Sequence, residues 1–204
     1  MITQASECAD ARAVAVYCAA SPHIDESYFE MARTVGAELA RHGAAVVNGG
    51  GAMGLMGAVN DGALAAGGVA VGVIPQFMYD NGWQHRGLTR LEVVGSMHER
   101  KARIARLTTG AIALPGGVGT LEELLEIITW RKLALYQGNV VVLNYHGFYD
   151  PLLSMIERCH TEGFIQRSTT PLYAVVDSVE AAIAAALASP SPATLVSPYD
   201  DAAR

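Results

Sequence analysis

Residues 110–123 read GAIALPGGVGTLEE, and their order predicts a strand, a glycine turn and then a helix. The apolar run Ala111–Leu114 predicts a buried strand, and a helix is expected to begin around Thr120. Glycines between them let a ligand approach the backbone, and the first N–H groups of a helix have no internal acceptors. Because the helix dipole adds partial positive charge there, the turn predicts an anion site, most often for phosphate.

Two carboxylates, Glu122 and Glu123, stand at the start of this predicted helix. Phosphate binding needs no carboxylate, so their position beside an anion site suggests catalytic chemistry. A purely structural role fits the same residues. Thr120 and Glu123 have the spacing of a capping box, in which Glu123 accepts a hydrogen bond from the Thr120 N–H. The sequence leaves both interpretations open.

Short apolar runs alternate with helical patterns along the whole chain, and most runs are continuously apolar. Such runs are typical of strands covered on both faces of a parallel sheet. The pattern predicts an α/β fold, a Rossmann-like doubly wound parallel sheet of about seven strands with helices on both faces. Strands are expected at 13–18, 44–47, 69–74, 91–94, 111–114, 140–143 and 173–176. Helices are expected near 26–41, 54–66, 97–108, 120–135, 150–162 and 178–187.

The chain has 204 residues, of which 51% are hydrophobic and 17% charged, and this predicts one Rossmann-like domain over residues 1–188. Residues 189–204 contain Ser-Pro-Ser-Pro and are expected to form a loose C-terminal tail. Segment 76–90 interrupts the alternation of strands and helices. We expect a loop there, and loops of that length are often functional.

Charge and cysteine content exclude several classes of protein. A net charge of −6 argues against nucleic acid as the partner, and no apolar run is long enough to span a membrane. Three cysteines without a Cys-x-x-Cys pair, and a start without signal-peptide features, predict a cytoplasmic protein with reduced thiols. The six histidines lack metal-ligand spacing, so no metal site is predicted.

Segments that follow strands are expected to meet at one edge of the sheet and to build one pocket. They are residues 17–21, 48–54, 96–101 and 115–123. The second of them contains a G-x-G-x-x-G pattern at Gly49, Gly51 and Gly54. The pattern follows the second strand and lacks the later acid that a dinucleotide site requires. It fits a wall of a mononucleotide pocket or glycines used for close packing.

Arg100 and Lys101 fall in the first turn of a predicted helix, where Ser96 and Glu99 have capping-box spacing. Cations at a helix N-terminus oppose the helix dipole unless an anion lies nearby. Composition leaves two interpretations open. The pair faces an anion, or it belongs to a solvated basic face.

Two stretches, Ser96–Ala102 (SMHERKA) and Leu114–Glu123 (LPGGVGTLEE), resemble the paired signature of the LOG family. These proteins are cytokinin riboside 5′-monophosphate phosphoribohydrolases, long labelled lysine decarboxylases. The similarity extends from about Val14 to Val176. It implies a Rossmann-like homodimer without a cofactor that hydrolyses the N-glycosidic bond of a nucleoside 5′-monophosphate. The products are ribose 5-phosphate and a free purine, either adenine or N6-prenyladenine.

Carried over by position, the resemblance implies that Arg100 and Glu123 are the catalytic pair. It also implies a substrate-binding set, to which we add three neighbouring positions. The set comprises Arg100, Lys101, Gly117, Val118, Gly119, Thr120, Leu121, Glu122, Glu123, Thr129, Gly50, Gly51 and Met97. The chain departs from the family before His85, since residues 80–83 read Asp-Asn-Gly-Trp where members often carry a glutamate.

The implied chemistry agrees with these residue types. A carboxylate stabilises an oxocarbenium-like state and activates water, and an arginine stabilises the negative charge of a leaving purine. Three rival functions are weighed against it. They are a carrier similar to molybdenum-cofactor carriers, a nicotinamide oxidoreductase, and a pyridoxal-phosphate decarboxylase, which would need a Schiff-base lysine.

Overall fold

The computed structural model describes residues 12–165 and 171–193, and seven strands in these ranges form one all-parallel sheet. They are β1 (Ala13–Tyr17), β2 (Ala45–Asn48), β3 (Ala70–Pro75), β4 (Arg90–Val94), β5 (Gly110–Ala113), β6 (Asn139–Leu143) and β7 (Ala174–Val176). Their order across the sheet is 4-3-2-1-5-6-7. The direction of winding therefore reverses between β1 and β5, which is where doubly wound folds open a ligand crevice.

Helices cover both faces of this sheet. They are α1 (Glu26–Arg41), α2 (Gly54–Ala65), α3 (Gln76–Asp80), α4 (Met97–Leu107), α5 (Val118–Lys132), α6 (Asp150–Thr161) and α7 (Val179–Leu187). Residues of α1, α2 and α7 share one apolar cluster, and residues of α4, α5 and α6 share the other. The predicted fold class is confirmed, and each predicted strand and helix is present to within a few residues.

The central strand β1 shows why the apolar runs are continuous. Val14 and Val16 join the cluster under α1, α2 and α7, whereas Ala15 and Tyr17 join the cluster under α4, α5 and α6. Successive side chains of a strand point to opposite faces, so a strand covered on both faces needs apolar residues at every position. All five residues of β1 are buried accordingly.

Segment 76–90, predicted as a loop, begins with the short helix α3 and ends at Arg90, the first residue of the edge strand β4. The rest of it lies along the glycine turn after β2. Gln84 forms an isolated bridge with Gly51, and the His85 N–H donates to the Gly50 carbonyl at 2.8 Å. The loop prediction was therefore wrong for residues 76–80, whereas residues 81–88 form a pinned connection.

The start of α5 also differs from the prediction. The helix begins at Val118, and Gly117 is its N-cap residue, with the Leu121 N–H donating to the Gly117 carbonyl at 3.0 Å. Thr120 is therefore already inside the helix, and Glu123 lies in the second turn. The predicted capping box of Thr120 and Glu123 was wrong. Glycine tolerates the N-cap position, so the cap forms upstream of the threonine.

The described beginning of the C-terminal segment is attached to the domain. The Arg131 guanidinium donates to the Ser191 carbonyl at 2.9 Å, and the Ala193 N–H donates to the Gln137 side chain at 3.0 Å. Residues 194–204 lie outside the described residues, as do residues 1–11 and 166–170. The division into a domain at 1–188 and a loose tail stays a prediction.

Candidate active site

The carboxyl ends of the central strands bring the predicted segments together. After β1, the Ala19 N–H donates to the Pro115 carbonyl of the turn after β5, at 3.2 Å. After β2, Gly49 lies against the Arg100 side chain of α4. Arg100 in turn faces Glu123 of α5. All four segments expected at this edge therefore border one site.

The first turn of α4 is fixed by its cap. The Glu99 N–H donates to Ser96 Oγ at 3.1 Å, and the Gly95 N–H donates to Glu99 Oε2 at 2.9 Å. The predicted cap by Ser96 is confirmed, whereas the Glu99 carboxylate accepts from the N–H of Gly95 and not, as in a capping box, from that of Ser96. The cap directs the two residues that follow inward, and only 6% of Arg100 and 7% of Lys101 is exposed. The interpretation of this pair as a solvated basic face was wrong.

Arg100 is buried without a tight hydrogen-bonded partner. Its Nη2 lies 3.8 Å from Glu123 Oε1, and its Nη1 approaches Met97 Sδ at 3.7 Å. Among the described residues, no atom accepts from its buried Nε. A buried guanidinium whose donors are not saturated is costly to keep, and an anionic ligand would satisfy it.

Glu123 lies opposite, on the second turn of α5, and is 8% exposed. Burial raises the pKa of its carboxyl, and the positive charge of Arg100 only partly offsets that rise. A carboxyl group whose pKa is moved toward neutrality is better suited to exchange protons with a bound substrate or water. The geometry therefore favours the chemical interpretation of Glu123 over the structural one.

Lys101 is the cation beside Arg100, and it has a different environment. Its Nζ binds Glu122 and lies 3.1 Å from Glu126, so it links α4 to α5. Burial lowers the pKa of this ammonium, but the hydrogen bonds to the two carboxylates outweigh burial and raise it overall. The substrate-binding roles carried over for Lys101 and Glu122 stay predictions, because both groups are already engaged with each other.

The N-terminus of α5 is open to a ligand. No side chain caps it, and a Cβ atom placed on Gly117 or Gly119 would meet nothing within 4 Å. Val118 between them is 84% exposed, whereas Thr120 is buried. The unpaired N–H groups of the first helical turn can therefore be reached from solvent, as the anion site predicted from the sequence requires.

Other residues of the predicted binding set lie around or away from this centre. The Gly50 N–H donates to Asn48 Oδ1 at 2.9 Å, and the Gly51 N–H approaches Met56 Sδ at 3.1 Å. Leu121 packs on the apolar cluster under α5. Thr129 is exposed, and its hydroxyl donates to the Leu125 carbonyl at 2.7 Å. At 1.5 Å of rise per residue, Thr129 lies about 9 Å along α5 from Glu123, so the structure does not bring it to the pair.

Sequence reasoning assigned no individual role to several residues that support the wall of the site, although Asn48 falls in one of the four predicted segments. Asn48 is buried, donates to Asn60 Oδ1 at 2.8 Å and accepts from the glycine turn. His85 Nε2 lies 2.9 Å from Asp61 Oδ1, which holds the connection after α3. An available signal was the pair of asparagines at 48 and 60, since each interrupts an apolar stretch and buried amides need partners.

The two ends of the G-x-G-x-x-G pattern make different close contacts. A Cβ on Gly49 would collide with the Arg100 guanidinium, and one on Gly54 would come within 2.5 Å of the Ala20 backbone. Gly54 therefore serves close packing, one of the interpretations left open by the sequence.

Within the described ranges, no helix is long and apolar enough to cross a membrane, and no cluster of acidic, histidine or cysteine side chains could hold a metal ion.

The sheet order and the crevice define the protein as a Rossmann-like α/β protein. Solved structures of the same fold include the molybdenum cofactor carrier protein from Chlamydomonas reinhardtii, with a TM-score of 0.65 and 23% identity. That match covers 86% of this chain and 94% of the other. The molybdenum cofactor binding protein of Rippkaea orientalis has a TM-score of 0.63 and 20% identity, over 83% of this chain and 91% of the other. At these identities the likeness shows the fold alone.

A family model described as "Possible lysine decarboxylase" matches residues 56–186. A cytokinin riboside 5′-monophosphate phosphoribohydrolase from Rhodococcoides fascians is 45% identical over 85% of this chain and 88% of its own length. The rice protein of the same name, designated LOG, is 44% identical over 76% of this chain and 64% of its own length. The chain therefore belongs to the family that this model describes and that includes these phosphoribohydrolases, the LOG family indicated by the sequence motifs.

Proposed function

We propose that this protein hydrolyses the N-glycosidic bond of a purine nucleoside 5′-monophosphate and releases the free base and ribose 5-phosphate. The observation that carries the proposal is the buried pair of Arg100 and Glu123 beside the open N-terminus of α5. The names of the relatives from R. fascians and rice support the same reaction class.

The reaction assigns one task to each part of the site. The first turn of α5, residues 117–120, binds the 5′-phosphate and so holds the sugar in place. Glu123 faces the sugar, where its negative charge stabilises the oxocarbenium-like state and it accepts a proton from the attacking water. The bond between C1′ and the base breaks as the water oxygen bonds to C1′. The base leaves with the electron pair and takes up a proton from solvent, and Glu123 returns the proton that it accepted from the water to solvent.

Arg100 acts on the leaving base. Its guanidinium stabilises the developing negative charge electrostatically. The Nε of Arg100 supports this role, because it provides a donor that no residue in the described ranges uses. Met97, which contacts the Arg100 guanidinium, and Gly50 and Gly51, which follow Gly49 in the glycine turn, belong to the proposed binding surface.

Adenine and N6-prenyladenine nucleotides are the proposed substrates. The relatives are named for cytokinin riboside monophosphates, and this supports a prenylated base. Trp83 stands in the stretch that departs from the family, is 53% exposed, and its carbonyl accepts from the Ala52 N–H at 3.0 Å. The backbone of Trp83 therefore lies close to the glycine turn.

The decarboxylase description of the family does not fit these residues. Pyridoxal phosphate requires a lysine for its Schiff base, and the chain has only Lys101 and Lys132. Lys101 is bound by two carboxylates. Lys132 ends α5, and a helix of that length places it about 21 Å from the ligand edge of the sheet.

A homodimer is also part of the proposal. Helix α6 has no buried residue, and apolar side chains are exposed on this face of the protein. They include Leu125 at 42%, Phe148 at 41% and Met155 at 58%. Burying such side chains against a second copy would remove apolar surface from water. The cytoplasmic location predicted from the sequence stays a prediction.

A product assay tests the reaction. AMP, N6-prenylated AMP, GMP and CMP are incubated separately with the protein, and free base and ribose 5-phosphate are both quantified. Equimolar release of the two products from the adenine nucleotides is expected, and the variant Arg100→Ala, purified identically, excludes a contaminating nucleosidase. Tight nucleotide binding without release of base from any substrate would refute the proposal and favour the carrier alternative.

A further inference from the structure

Gly49 lies directly under the guanidinium of Arg100. A Cβ atom built on Gly49 would stand 1.6 Å from Nη2, 2.6 Å from Cζ and 3.0 Å from Nε of Arg100. These distances are far inside van der Waals contact. No residue other than glycine fits at position 49 while Arg100 keeps this position.

The backbone of Gly49 does not itself require glycine. Its neighbour Gly50 has a φ of +71°, in the left-handed region that side chains disfavour, whereas Gly49 lies outside that region. The space taken by Arg100 is therefore the reason for glycine at this position. The demand comes from a different element of the fold, since Gly49 follows β2 and Arg100 belongs to α4.

The other contacts of Arg100 are too weak to fix its position. The approaches to Glu123 at 3.8 Å and to Met97 Sδ at 3.7 Å are long, and Nε has no partner among the described residues. The backbone of Gly49 instead bounds the guanidinium so closely that no side chain fits between them. Shape at this point, more than hydrogen bonding, determines where the charge lies.

We propose that Gly49 is a positioning residue of the proposed hydrolysis. Its missing side chain admits the Arg100 guanidinium to the place from which it stabilises the leaving base. This inference rests on the proposed function for its kinetic consequence. The steric contact between the two residues can be tested independently of catalysis.

The variant Gly49→Ala moves the end of a flexible side chain, and it leaves the strand and both helices in place. The expected effect is therefore mainly on kcat. A displacement on the order of 1 Å can lower turnover about 10²-fold, and KM for AMP should change much less. A double-mutant cycle with Arg100→Ala provides the decisive comparison. In the Arg100→Ala background, Gly49→Ala should cause no further loss of kcat.

Gly95→Ala is the matched control. Gly95 follows β4 at the same edge of the sheet and is exposed. The three atoms nearest to a Cβ there all belong to the flexible Glu99 carboxylate, the closest at 3.3 Å, and alanine keeps the N–H that donates to this carboxylate. This variant should retain the turnover of the unmodified protein. An equal loss in both alanine variants would mean that the change reflects a general sensitivity of this edge.

Labelling with phenylglyoxal, followed by peptide mass spectrometry, reports the position of Arg100 without any substrate. Arg100 should react slowly in the unmodified protein, where it is 6% exposed, and markedly faster in Gly49→Ala. Unchanged labelling, a near-normal kcat, or an equal loss of kcat in the Arg100→Ala background would each overturn the inference. If the unmodified protein hydrolyses no nucleotide, the proposed function fails while the labelling still decides the contact.

Folding provides the remaining safeguard. If Gly49→Ala alone is unfolded, the clash predicts that the double variant with Arg100→Ala regains a cooperative melting transition. If the single and the double variant are both unfolded, the inference is contradicted, because the double variant has no Arg100 side chain for the introduced methyl group to clash with.

Discussion

Glu123→Gln separates the chemical and structural roles of the carboxyl group most sharply. Gln has nearly the same size and shape as Glu, so the packing of this buried side chain is retained. Because Gly117 caps α5, the substitution does not disturb the start of the helix. What the variant removes is the negative charge and the ability to exchange a proton.

Two opposing free energies determine the effect on stability. At 3.8 Å and an effective dielectric of about 20, Arg100 and Glu123 attract by roughly 4 kcal/mol before the cost of burying the charges is counted. The pKa of Glu123 is nevertheless raised, so burial outweighs this attraction. A raised carboxyl pKa stabilises the fold at low pH, and that contribution is lost as the pH rises through the folded-state pKa. Gln stays neutral, so the variant should melt like the unmodified protein at pH 4 and at an equal or higher temperature at pH 8.

Catalysis should change in the opposite direction. Loss of a general base and of the stabilising charge should lower kcat roughly 10²–10⁴-fold, while calorimetric binding of AMP stays close to that of the unmodified protein. Glu126→Gln is the matched control, since it makes the same change one turn further along α5, outside the proposed binding set. It should keep most of the activity. An active Glu123→Gln enzyme would refute the catalytic assignment.

Four further predictions follow from the same geometry. Adenosine should have a far lower kcat/KM than AMP, because the N-terminus of α5 binds the phosphate; comparable values would contradict this. Arg100→Ala should lower turnover at least ~10²-fold, and it should move the acidic limb of the pH profile upward, because Arg100 is the main group that lowers the pKa of Glu123; an unmoved limb would argue against Glu123 as the titrating group. Lys101→Ala should raise KM more than it lowers kcat, and it should cost roughly 1–2 kcal/mol of stability by freeing two carboxylates; unchanged melting would exclude a bracing role. Sedimentation at micromolar concentration should show a mass well above 21.5 kDa, since a monomer would contradict the homodimer.

The layered fold could be predicted from the sequence because buried parallel strands carry a strong signal. Their continuous apolar runs, separated by helical patterns, located every strand and helix but one. Helix α3 was missed because it is short and its apolar residues, including Phe77 and Tyr79, are exposed. The start of α5 was misplaced because the spacing of Thr120 and Glu123 imitates a cap that Gly117 already provides.

The residues themselves suggested an anion site and a chemical role for Glu123, whereas the pairing of Glu123 with Arg100 came only from the family motif. Composition left Arg100 divided between a solvated face and an anion site, because its burial depends on Gly49, which belongs to another strand end. No local pattern encodes a contact between residues so far apart in the chain. The G-x-G-x-x-G pattern correctly indicated that another group comes close to the backbone. At Gly49 that group is the Arg100 side chain of the protein itself.

Arg100 and Lys101 are neighbours on α4, but they make different contacts with α5. Lys101 binds Glu122 and Glu126, so its charge is neutralised within the protein and holds α4 against α5. Arg100 faces Glu123 at a distance longer than a hydrogen bond, and none of the described residues accepts from its Nε. Two carboxylates can neutralise a lysine from any direction because its ammonium is a compact point charge. A guanidinium instead has several donors with fixed directions, and each needs an acceptor in the right place. The structure therefore uses the residue with fewer donors as a brace and keeps the one with spare donors, beside a carboxyl of raised pKa, for the substrate.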